Sequence, residues 1–208
     1  MRDEGHVRRA GTRMRDEGSF DSPRPESLVP HPSQGCIRCL IEPQVEQNPD
    51  AIAITAPGRT ALTYAGLWRQ VTWTVSMLNT MGVGRNDRVA LVLPNGPEMA
   101  VAFVATAAGA ASAPLNPAYT AREFDFYLAD LNARALIVPS GSDSPAVAGA
   151  QARGIPILEL SPVTPAPAGV FTLTGDMQPR EIQPGFAGPD DTALVLHTSG
   201  TTSRPKIV

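Results

Sequence analysis

From residue 51 the apolar positions switch between two rhythms, and each switch marks an element. Ala51-Ile52-Ala53-Ile54 and Thr60-Ala61-Leu62 flank Ala56-Pro57-Gly58-Arg59, a turn-forming tetrapeptide between two apolar runs that predicts a small β-hairpin. Tyr64, Leu67, Val71, Val75 and Leu78 then recur at helical spacing, with Thr63 as the N-cap and Gly82 suited to the C-terminal end. Thr63-Tyr64-Ala65-Gly66-Leu67 lacks the Glu that would complete a capping box.

From Asp87 the rhythm becomes strand–helix–strand. Arg88-Val89-Ala90-Leu91-Val92-Leu93 is a continuous apolar run, as a parallel strand buried on both faces requires. Asn95 is placed to cap the next helix, with Pro97 and Glu98 in its first turn. Ala111 to Asn116 predicts a strand. Thr120-Ala121-Arg122-Glu123 is a capping box opening a helix through Leu131, with Phe124, Leu128 and Leu131 inward. Ala135 to Val138 and Ile155 to Leu158 predict strands, with a weak helix from Ala146 to Arg153 between them. Pro162 to Pro189 has little periodicity and predicts loop with room for a short hairpin. Such alternation implies an α/β fold: a mainly parallel, doubly wound sheet with helices on both faces. Ligands on these sheets bind outside the carboxyl ends of strands.

The first 35 residues read differently. Met1-Arg2-Asp3-Glu4-Gly5 recurs as Met14-Arg15-Asp16-Glu17-Gly18, and Pro23, Pro25, Pro30 and Pro32 follow. Arginines (Arg2, Arg8, Arg9, Arg13, Arg15, Arg24) are matched by acids (Asp3, Glu4, Asp16, Glu17, Asp21, Glu26). A transit peptide is poor in acids and a secretory signal needs an apolar stretch, so residues 1–35 are expected to be a disordered extension. Met14 is an alternative start to Met1. Residues 36–208 are expected to form the folded part. The net charge of -3 favours no particular partner. Without a basic patch interleaved with aromatics, nucleic acid is not expected as a partner. The nearest thing to an apolar span, Met99 to Ala113, is bounded by Pro97 and Pro114 and is rich in Ala and Gly; no membrane span is expected. The two cysteines, Cys36 and Cys39, are too few for a zinc site; a redox pair is the alternative, but no thioredoxin-like context surrounds them, and they read as the start of an ordinary helix in a reducing, cytoplasmic setting.

The candidate chemistry lies in His197-Thr198-Ser199-Gly200-Thr201-Thr202-Ser203-Arg204-Pro205-Lys206-Ile207, after the apolar strand Ala193-Leu194-Val195-Leu196. Gly200 permits a sharp turn close to a ligand, and successive N–H groups in such a turn cradle anions. Thr198, Ser199, Thr201 and Thr202 add hydroxyl donors. Lys206 supplies a positive charge, and Pro205 stiffens the approach to it. The spacing is not that of a Walker A loop, since no Gly precedes the lysine and no Ser or Thr follows it.

Thr198 to Lys206 instead resembles the phosphate-binding signature [ST]-S-G-T-T-G-x-P-K-G of the adenylate-forming superfamily: acyl- and aryl-CoA synthetases, luciferases and peptide-synthetase adenylation domains. Leu93-Pro94-Asn95-Gly96-Pro97-Glu98 and Asn116-Pro117-Ala118-Tyr119-Thr120 with Glu123 are similar to the upstream region of acyl-CoA synthetases. Ser203 and the Ser-Arg-Pro-Lys version resemble the oxalate–CoA ligase branch. Ile207 departs from the signature's Gly, and a β-branched residue would distort the loop if φ had to be positive there.

The resemblance implies the N-terminal part of an AMP-binding domain in an ATP-dependent, AMP-forming acid–thiol ligase. ATP, a carboxylic acid and CoA would be its substrates, with Mg2+ held by residues beyond this chain. Thr198, Ser199, Gly200, Thr201, Thr202 and Lys206 would contact the ATP phosphates. No catalytic residue is assigned within the chain, because the adenine-binding, ribose-binding, hinge and lysine-bearing C-terminal segments are expected downstream of Val208. Residues 1–208 alone are therefore expected to be inactive. The alternatives are a catalytically inactive nucleotide-binding remnant or interaction module, and part of a carrier-protein-loading adenylation domain. The residues themselves read His197 as a packing or solvent-edge residue and Arg204 as a solvated charge. Trp68 and Trp73 read as packing residues, and Glu123, Asp125 and Asp130 as a solvated helical face.

Overall fold

The computed structural model describes residues 35–178, 180–198 and 206–208. The expectation for the N-terminal extension therefore lies almost wholly outside the described residues. The folded chain begins with helix α1 (Ile37–Gln47) and an antiparallel pair, β1 (Ile52–Ile54) and β2 (Leu62–Thr63). Helix α2 (Tyr64–Thr80) follows directly; the Thr63 hydroxyl accepts the Gly66 N–H at 3.2 Å, and Gly82 beyond its end adopts φ 75°. That left-handed turn is the one glycine accommodates without strain.

Strand β3 (Arg88–Leu91), helix α3 (Pro97–Gly109), β4 (Ala111–Pro114), helix α4 (Ala121–Leu131), β5 (Ala135–Pro139), helix α5 (Pro145–Ala152) and β6 (Ile157–Pro162) then alternate. β7 (Phe171–Thr174) closes the sheet in the order β4-β3-β5-β6-β7, parallel except for the antiparallel β6–β7 pair. The expected architecture is present: a mostly parallel sheet with helices on both faces.

The period-two geometry of strands divides the core into two layers. Val89, Leu91, Ala135, Ile137 and Leu158 face α2 and α3, where they meet Leu67, Val71, Val75, Leu78, Val101 and Ala105. Ala90, Val92, Leu136 and Val138 face α4 and α5, where they meet Phe124, Leu128, Leu131, Ala146 and Ala150. Trp68 stacks on Phe186 and Trp73 meets Phe171 edge-on, so both tryptophans pack, as expected.

Local expectations fail at four places. Asn95 does not cap α3; Gly96 takes that position without a side-chain bond, and Pro97 at the first turn supplies the fixed φ. Glu98 turns instead to Arg59, 3.2 Å away. The strand expected from Ile155 starts at Ile157, because the α5 exit uses Gly154 (φ 64°) and an Ile155 N–H to Ala150 C=O bond. The stretch 162–189, expected mainly as loop, contributes β7 to the main sheet. The cysteines do not stand as free residues of an ordinary helix: α1 starts at Ile37, but Cys36 and Cys39 are bridged. The carboxylates of α4 are exposed, as read, and each also has a partner. Glu123 closes the capping box, Asp125 meets Arg153 at 2.6 Å, and Asp130 meets His197.

The capping box has a pH consequence. Glu123 Oε2 accepts from the Thr120 hydroxyl and N–H, both at 2.7 Å. The hydroxyl contact first, then the N–H, lowers the carboxyl pKa from 4.5. A folded pKa below the unfolded one gives stability that is complete above about pH 4.5 and drains away as pH falls through the folded value. Thr120→Ala should lower the melting temperature by about 2–4 °C at pH 7 and by less below pH 4. Equal losses at pH 7 and pH 3.5 in thermal melts would rule out this assignment of the acid sensitivity.

Candidate functional site

Residues 193–195 run beside the edge strand β4 in the parallel sense. Ser112 N–H donates to Ala193 C=O at 2.9 Å, and Val195 N–H donates to Ser112 C=O at 2.9 Å. This is a single bridge rather than the full apolar strand expected for Ala193–Leu196. Only Val195 is buried; Leu194 and Leu196 are exposed, because here the chain has the core on one side only. The direction of the bridge carries the chain toward the carboxyl end of β4, where doubly wound sheets place ligands.

A second pairing then turns the chain back. β8 (His197–Thr198) and β9 (Lys206–Ile207) are antiparallel, with His197 opposite Ile207 and Thr198 opposite Lys206. Leu196 and Val208 exchange both backbone hydrogen bonds, at 2.9 and 2.8 Å. The Thr198 hydroxyl donates to the Lys206 carbonyl at 3.4 Å. The ends of the hydroxyl-rich loop are thus tied together. Ser199, Gly200, Thr201 and Thr202, with Ser203, Arg204 and Pro205, lie outside the described residues.

Strand parity decides which groups can meet a ligand. Val195 is 4% exposed and the His197 side chain 5%, so both point inward, while Leu194, Leu196 and Thr198 point outward and are exposed. Directly opposed residues of an antiparallel pair share a face. Lys206 and Thr198 therefore stand together on the outward face, and among the described residues Lys206 makes no ion pair. Its charge is available to an anion. One unit charge about 4 Å from a phosphate oxygen is worth roughly 4 kcal/mol at an effective dielectric near 20.

The inward face is an aromatic seat. The His197 ring meets Tyr127 edge-on at 4.6 Å between centroids, and its Nε2–H donates to Asp130 Oδ2 at 2.9 Å. Tyr119 stacks on Tyr127 at 4.7 Å and meets Phe124 edge-on at 5.8 Å. Burial first, then a hydrogen bond with Tyr119, pushes the Tyr127 phenol up to about 12, so it stays neutral against the histidine. His197 is thus the packing residue that the sequence suggested, with an added polar tether to α4. Tyr127 and Asp130 were not singled out as supports of the loop. Their partner lies 67 residues away from Asp130, beyond any local spacing rule.

Ile207 resolves simply. It lies in β9, is not among the described residues with positive φ, and is about one-third exposed. A β-branched residue suits that extended position.

Comparison with known proteins identifies the family. A family model described as AMP-binding enzyme matches residues 41–208. A probable CoA ligase of Humulus lupulus is 38% identical over 173 residues, covering 80% of this chain and 32% of its own. The oxalate–CoA ligase of Arabidopsis thaliana is 37% identical over 175 residues, covering 80% of this chain and 33% of its own. The crystal structure of ATP-bound MatB from Rhodopseudomonas palustris superposes with a TM-score of 0.63 at 25% identity, covering 84% of this chain and 34% of that one. The chain spans about a third of the length of the curated relatives it matches.

Proposed function

Because the chain belongs to the AMP-binding enzyme family, we propose that it supplies the ATP phosphate-binding loop of an AMP-forming acid–thiol ligase of the acyl-CoA synthetase kind. The reaction joins a carboxylate oxygen to the α-phosphorus of ATP and breaks the bond to pyrophosphate. A thiol then displaces AMP from the acyl adenylate. Thr198, Ser199, Gly200, Thr201, Thr202 and Lys206 would hold the departing pyrophosphate. Charge that develops there is best stabilised by donors and cations already in place.

The observation that carries this reading is the cross-strand pair Thr198–Lys206, which brings the hydroxyl end and the cationic end of the loop together on one exposed face. Support for CoA as the thiol comes from the relatives named as CoA ligases, and support for ATP from the ATP-bound neighbour. Magnesium would neutralise phosphate charge when bound. No group of three or more His, Cys, Asp or Glu side chains converges among the described residues, so no side chain here is assigned to it.

Calorimetric competition on residues 1–208 tests the reading. Pyrophosphate is expected to displace ATP from the chain, while AMP, which lacks the phosphates that leave, competes at least tenfold less well. AMP competing as strongly as pyrophosphate would place recognition on the nucleoside side, and failure of ATP to bind would remove the loop's assigned role.

A further inference from the structure

At the start of α1, ahead of β1, a second reactive group stands apart from the phosphate loop. Cys36 is the N-cap of α1 and Cys39 lies in its first turn; the two are bridged. They are the only cysteines of the chain. Both are part-exposed, so their sulfurs are not sealed into the core, which α1 enters one turn later through Ile41. The Cys39 N–H donates to Cys36 Sγ at 3.1 Å. That donor is one of the N–H groups that a helix start leaves without an intrahelical partner. Arg38, between the cysteines, places its guanidinium 5.7 Å from the Phe186 ring centroid and pairs with Glu42 at 3.1 Å.

An N–H donor at a helix start and the positive end of the helix dipole both favour a thiolate at Cys36 over a thiol. The same interactions do not act equally on Cys39, which sits inside the turn. From this asymmetry we propose that Cys36–Cys39 is a thiol–disulfide exchange site, with Cys36 the attacking sulfur and Cys39 the resolving one. Its partners are low-molecular-weight thiols and disulfides, of which glutathione is the probe. In the oxidising direction the Cys36 thiolate attacks one sulfur of oxidised glutathione. The glutathione S–S bond breaks, a mixed disulfide forms at Cys36, and one glutathione leaves as thiolate and is protonated by water. Cys39 then loses its proton to solvent and attacks Cys36 Sγ, expelling the second glutathione and closing the bridge. Two cysteine thiols are oxidised while one glutathione disulfide is reduced to two thiols. Excess reduced glutathione drives the same steps backward.

This site does not depend on the ligase reading. It is tested on the whole chain by mass spectrometry after incubation with oxidised glutathione at pH 7. Cys39→Ser should trap one glutathione on Cys36, about five- to tenfold faster than Cys36→Ser accepts one on Cys39. Ser is among the preferred N-cap residues, so Cys36→Ser retains the helix start while removing the nucleophile, and circular dichroism checks the fold of both variants. The wild-type chain needs no substitution: in glutathione buffers of graded ratio it should pass from two free thiols to none as a single two-electron transition. Equal adduct rates at the two cysteines would overturn the assignment of the attacking sulfur. A wild-type chain that keeps both thiols free in excess oxidised glutathione would overturn the site.

Discussion

Phe124→Ala should lower the melting temperature by about 10–15 °C, the largest stability loss expected from a single truncation in this chain. Phe124 has no exposed surface and sits in the layer where α4 covers β3 and β5, with Leu128, Leu131, Leu136 and Val138. Its Cβ lies 3.9 Å from where a side chain on Gly149 would begin, so it also fills the close approach of α4 to α5. Truncating a buried Phe to Ala costs about 3–5 kcal/mol, and each kcal/mol is worth about 2–4 °C in a domain of this size. The ring further supports Tyr119, which stacks on the Tyr127 seat of His197. ATP binding should therefore weaken together with stability. Phe124→Leu, which keeps most of the volume, should lose much less. A shift below about 3 °C for the Ala variant, read by calorimetry, would mean that the α4 layer is not packed as described.

Lys206→Ala should weaken ATP binding about 10- to 30-fold while leaving the melting temperature within about 1 °C of wild type. The two readouts separate for a physical reason. Lys206 is exposed and makes no ion pair among the described residues, so folding gains little from its charge. Opposite a phosphate the full Coulomb term near 4 kcal/mol is reduced by solvent, leaving about 1.4–2 kcal/mol of affinity. Lys206→Arg keeps the charge but presents a planar fork in place of a compact ammonium, and should recover part of the loss. The loss should shrink as salt rises. Wild-type affinity in the Ala variant, by isothermal titration, would take the cation out of the site. An equal loss of stability would make Lys206 a structural residue.

What the sequence made legible follows from how local each signal is. Thr63 and Thr120 cap α2 and α4 as read, because a cap is decided within four residues. The two-faced sheet was also legible, since Arg88–Leu93 and Ala135–Val138 can only be so uniformly apolar if both faces are covered. Asn95 misled because a competent capping side chain stood two residues before a proline, and the proline set the register. β7 was missed because Phe171–Thr174 alternates over a single short strand whose partner, β6, is supplied from outside its own window. The aromatic seat beneath His197 was not legible. His197, Tyr127 and Asp130 meet only when α4 and β8 are brought together by the sheet, and neither Tyr127 nor Asp130 carries a mark of it in its own neighbourhood. The C-x-x-C spacing was read as an ordinary helix start, and the disulfide was missed because the spacing alone does not report the N-cap geometry that brings the sulfurs together.

The alternation along Val195, Leu196, His197 and Thr198 sets a rule for tolerated change. A substitution within this stretch leaves the alternation in place, and its outward positions still face outward. A deletion of one residue between Val195 and Thr198 is different in kind. It would rotate the stretch by half a pleat, present the imidazole to the nucleotide, and drive the threonine against Tyr127. In the strand that leads to the loop, spelling is therefore more forgiving than counting.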